Sequence, residues 1–158
     1  MRRLALFAAI LAGGLSSAAA AGSELACRSG EEALLTADPS SVNALDLAAA
    51  TGTRRLELRE WGICFSCAGM PALRLTLADR DSGEQAWISG GVTACGPADA
   101  PAAQRHCLTG AAVQLGNRQA GRCLFPPGTT LATLWTALTG SAPPDLRDGW
   151  WSYRSSAQ

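Results

Sequence analysis

The residues of this 158-residue chain that could do chemistry are its six cysteines, Cys27, Cys64, Cys67, Cys95, Cys107 and Cys123, and its one histidine, His106. Two of the thiols stand three apart in the stretch WGICFSCAGMPAL, residues 61–73. That spacing suits a redox-active pair, half of a zinc site, or the ends of separate structural disulfides. Which of these applies depends on the compartment and on the elements that carry the cysteines.

Trp61, Cys64, Cys67, Met70, Pro71 and Leu73 together resemble the active-site window of periplasmic thioredoxin-like proteins, over about a dozen residues. The resemblance implies a thiol–disulfide oxidoreductase using Cys64 and Cys67. It departs from that pattern at Ile63, where those proteins carry tryptophan, and at Met70, one residue too close to Cys67. A thioredoxin thiol is acidified by the helix N-terminus on which it sits. Here a glycine, a proline and an alternating strand pattern follow Cys67, and no βαβ pattern is present. The expectation is therefore structural: Cys64 and Cys67 lie near a strand bend and pair with distant cysteines. The oxidoreductase is the alternative.

Zinc would need Cys64 and Cys67 joined by Cys95 and Cys107 or by His106, all kept reduced, and the second half lacks a compact C-x-x-C. A triad or a Cys–His nucleophile would have to use His106, whose neighbour Cys107 is poorly placed to face it. There is no G-x-S-x-G. Asp79 and Asp81 fall in a turn, and Glu57 and Glu60 stand beside arginines, a placement that suits solubility and ion pairs rather than a glycosidase pair. No metal and no cofactor is expected.

The N-terminus opens with Arg2 and Arg3, an apolar run over residues 4–15, and Ala19 and Ala21 in an A-x-A arrangement. This reads as a secretory signal peptide over residues 1–21, its run too short for a comfortable membrane span, leaving one domain over 22–158. Glu24 stands where a lipobox before Cys27 would need an aliphatic residue, so soluble export is expected. An even number of cysteines in a small exported chain indicates a disulfide framework of three bridges, each contributing about 2–4 kcal/mol. The expected location is the periplasm or the medium. With no lysine and 13 arginines against 13 acids over the full chain, nothing recommends nucleic acid or an anionic membrane as a partner.

Period-two patterning begins at residue 53 and slips at Glu60-Trp61-Gly62, which suggests a bulge. ALRLTLAD and EQAWIS, joined by RDSG, form the clearest hairpin. Residues 31–36 suit one helical turn capped by Ser29, Asp38-Pro39-Ser40 a turn, and residues 42–50 a short helix or an extended segment, with loop and strand preferred. GPADAPAAQRH reads as a loop tied at Cys95 and Cys107, and GAAVQLG and the residues before Phe125 as further strands. Thr129 or Thr130, the face Leu131, Leu134, Trp135 and Leu138, and the stop at Gly140 mark a helix over about 129–139. The expected fold is α+β: a small antiparallel, disulfide-stapled sheet with this one amphipathic helix packed on it.

Five tryptophans remain to be placed. Trp61 and Trp135 follow apolar faces and belong to the core. Trp87 falls in the opposite phase to Ala86 and Ile88, and Trp150, Trp151 and Tyr153 cluster near the C-terminus. Outward tryptophans anchor protein partners or sugar rings. The expected function is an exported, non-catalytic binding or accessory protein: an inhibitor, an immunity factor or an envelope-assembly factor. Its partner would be another protein or a carbohydrate, contacted by Trp87, Trp150, Trp151 and Tyr153.

Overall fold

The computed structural model describes residues 24–37, 42–64 and 71–143, and residues 150–154 for their backbone alone. The signal peptide expected over 1–21, and Cys67 with Met70, lie outside these residues. Nine strands form: β1 (Leu25–Ser29), β2 (Glu32–Ala37), β3 (Ala44–Ala49), β4 (Gly52–Cys64), β5 (Ala72–Asp79), β6 (Gln85–Ala94), β7 (His106–Leu115), β8 (Arg118–Leu124) and β9 (Trp150–Arg154). Two helices, α1 (Ala102–Arg105) and α2 (Leu131–Thr139), complete the described structure.

Strands β1 to β8 each pair antiparallel with their sequence neighbour, and β8 pairs back to β1. The result is a closed, up-and-down eight-stranded barrel, which corrects the expected open sheet with a helix on it. The alternation that places β4 to β6 in a sheet is plain in the sequence. The strands that close it, β1 to β3, are short and rich in alanine and leucine, so they carry little alternation to read. Residues 32–37 are strand β2, not a helical turn, because their backbone groups pair with β1 and β3.

The register of β4 breaks between Leu58 and Glu60, at the phase slip in the sequence. Below the break β4 pairs with β3, from Gly52 to Glu57; above it β9 pairs with β4, from Glu60 to Cys64. One wall strand thus serves two partners in tandem.

Eight strands enclose an interior that side chains can fill. Here Leu47, Leu56, Trp61, Ile63, Leu77 and Val113 all have no exposed surface. Helix α2 lies across one mouth. The Thr130 hydroxyl accepts from the Thr133 N–H (3.1 Å), and Gly140 ends the helix in the left-handed conformation (φ 69°), donating its N–H to the Thr136 carbonyl (2.9 Å). Its Leu131, Leu134 and Leu138 are buried, and its Trp135 meets Trp61 edge-on with ring centroids 5.1 Å apart. Leu134 and the wall residues Leu25, Leu35, Leu45, Leu73 and Ile88 surround a residual space of only about 10 Å³. At most one water would fit, so the barrel holds a core and not a ligand. Charged residues stand on the outer wall and apolar ones inside, the reverse of a membrane-spanning barrel. Among the described residues no helix is long and apolar enough to cross a membrane.

Candidate binding face

Two disulfides join described cysteines. Cys27 of β1 bonds Cys123 of β8, with Cα atoms 5.3 Å apart, across the seam that closes the barrel. That seam carries one registered ladder pair, Arg28 with Leu124, so the bridge reinforces the wall where backbone pairing is sparsest. Cys95 bonds Cys107 and ties the ends of the β6–β7 connection, a pairing that the sequence leaves open among the fifteen that six cysteines allow.

Cys64 is also disulfide-bonded. The other four bond one another, so it is not joined to Cys27, Cys95, Cys107 or Cys123, which corrects the expectation of a distant partner. It ends strand β4 and is buried at 3% exposure, in a fold with no βαβ unit. The bridged cysteines cannot serve as zinc thiolates, and among the described residues no cluster of His, Cys, Asp and Glu could hold a metal ion. The Nδ1–H of His106 donates to the Ala102 carbonyl (2.8 Å), fixing the half-buried ring against the turn of α1. Glu57 accepts from Arg59 at 3.1 Å and lies 3.5 Å from Arg80, an ion-pair role rather than a catalytic one.

Trp150, Trp151 and Tyr153 belong to β9, where their backbones register with Cys64, Ile63 and Trp61. Their side chains lie outside the description. Trp87 is half-buried, on the outer face of β6, as its phase against Ala86 and Ile88 requires.

The residues around Trp87 escaped the sequence reading. Cross-strand register sets two outward rows over β5 to β8. One runs Arg74, Ser89, Ala112, Arg122; the next runs Thr76, Trp87, Gln114, Gln119. With strands about 4.8 Å apart, the two arginine backbones are about 14 Å apart across the row. All of these but Thr76 line an open groove of about 690 Å³, which among the described residues has no aspartate or glutamate in its lining. The available signal was the hairpin: once residues 72–79 and 85–90 pair, Arg74, Ser89 and Trp87 must share a face.

The electrostatics set this face apart. Arg54, Arg55, Arg59, Arg80 and Arg118 each reach a carboxylate within 4.0 Å. Arg28 and Arg105 donate to the carbonyls of Glu31 and Ala98. Arg74 and Arg122 do neither among the described residues, and both are exposed. A half-buried indole, two guanidinium groups without a carboxylate partner among the described residues, and several primary amides give this face groups suited to recognition.

Compared with known proteins, the chain matches no family model, no curated protein and no solved structure.

Proposed function

We propose that this is an exported, non-catalytic binding protein, acting in the periplasm or outside the cell as an inhibitor, immunity or envelope-assembly factor. Its binding face is the outer wall of β5 to β8. The observation that carries this reading is the pairing of a filled interior with an outer groove in which Trp87 lies beside the row that holds two uncommitted arginines. The two described disulfides are consistent with export.

The test is a photocrosslinking amino acid placed at Ser89, within the groove, or at Thr36 on the outer face of β2, in cells that make the protein. A discrete adduct is expected from Ser89 alone, and it should disappear with Trp87→Ala while the far-ultraviolet circular dichroism stays unchanged. Adducts that form equally from both positions, or from neither, rule the binding face out.

A second reading has one observation in its favour. With the other four paired among themselves, Cys67 is the one cysteine left beside Cys64. A local bridge of that spacing suits a thiol–disulfide oxidoreductase. That reading needs Cys64→Ser to abolish insulin reduction while leaving the barrel folded.

A further inference from the structure

Resting on the binding reading, we infer that the groove takes an extended acidic segment of a partner polypeptide, laid across the strands with one carboxylate at Arg74 and another at Arg122. Charge complementarity selects the sign, because the groove's lining holds two arginines and no acid. Separation selects the shape. The two arginine backbones are about 14 Å apart, and carboxylates four residues apart on an extended chain advance by about the same distance. Each guanidinium can then hold its carboxylate by two parallel hydrogen bonds.

The floor between the arginines fits a backbone. Ser89 and Ala112 are short and let a chain lie close to the sheet. Gln114 and Gln119, in the adjoining row, are primary amides that donate and accept, matching peptide groups that do the same. The exposed flank of Trp87 offers an apolar surface to a side chain between the two acids. A sulfated glycan would use the arginines but presents no main-chain peptide groups to Gln114 and Gln119.

The mature protein, immobilised, is offered a random dodecapeptide display library, and the enriched peptides are synthesised and titrated by calorimetry. Peptides with two acids three to five residues apart are expected. Arg74→Gln and Arg122→Gln should each weaken them by about tenfold, and Arg74→Lys by less. Arg118→Gln, whose partner is Glu84, should leave affinity unchanged. Rising salt should weaken binding. Enriched peptides without paired acids, affinity indifferent to both glutamine variants, or preferential displacement by a sulfated hexasaccharide would overturn the inference. If the Ser89 adduct depends on Trp87 but not on Arg74 or Arg122, the binding face stands and the acidic segment falls. If neither adduct nor peptide is found, both fall.

Discussion

The two ends of the barrel are held by different means. At one end four tight turns join β1 to β2, β3 to β4, β5 to β6 and β7 to β8, and each contains a glycine with positive φ: Gly30, Gly52, Gly83 and Gly116. The largest of these turns is organised by Asp79. Its Oδ1 accepts from the N–H of Ser82 (2.7 Å), the N–H of Asp81 (3.0 Å) and the Ser82 hydroxyl (2.9 Å). At the other end the connections are long, helix α2 fills the mouth, and Cys64, Cys95, Cys107 and Cys123 stand at or beside strand ends, with Cys27 of mid-β1 bonded to Cys123. Where chain neighbours can satisfy one another, short-range hydrogen bonds suffice. Where the chain must span the mouth, apolar contact and covalent bonds hold it.

The sharpest way to break that contrast is to cut the covalent bonds at the open end. Replacing Cys27 and Cys123 together by serine frees a loop with a sequence separation of 96 and should cost about 4.7 kcal/mol in guanidinium unfolding. Removing Cys95–Cys107, with a separation of 12, should cost about 3 kcal/mol. Equal costs would mean that the seam is held by its ladder and not by its bridge.

Leu134→Ala, at the centre of the helical plug, should cost about 3 kcal/mol, since the barrel wall around it cannot collapse into the space left. A loss below about 1 kcal/mol would show that α2 decorates the mouth without filling it.

The smallest effect belongs to the hairpin end. Asp79→Asn should cost about 1–2 kcal/mol at neutral pH. The hydrogen bond from the Ser82 N–H, then those from the Ser82 hydroxyl and the Asp81 N–H, and the nearby Arg54 guanidinium hold the Asp79 carboxyl below its ordinary value of 3.8, against the burial that opposes them. Its stabilisation is therefore complete above that value and is lost as pH falls through the lower, folded one. Denaturation midpoints measured from pH 7 to pH 2 should show this acid arm in the wild type and a shallower one in Asp79→Asn.

What was legible in the sequence follows from how locally each feature is encoded. The bulge at Glu60-Trp61-Gly62, the hairpin of β5 and β6 and the cap and stop of α2 all depend on neighbours in the chain, whereas the pairing of the cysteines did not show. Closure did not show, because the β1–β8 seam joins Arg28 to Leu124 and no local pattern announces it. The candidate binding face was half visible. Trp87 stood out by its phase, but Arg122 joins it only through the registers of three strand pairs, and a single outward arginine on a strand is ordinary.

The order of the strands also bears on how the chain closes into its barrel. Every pairing in the wall except β1 with β8 links neighbours, so most of the ladder can zip from nearby contacts at small loop-closure entropy. The closing seam must wait until the other strands are in place. The Cys27–Cys123 bond lies on that same seam, so the one long-range joint of the wall is also a covalent one, and it links the first strand of the circuit to the last.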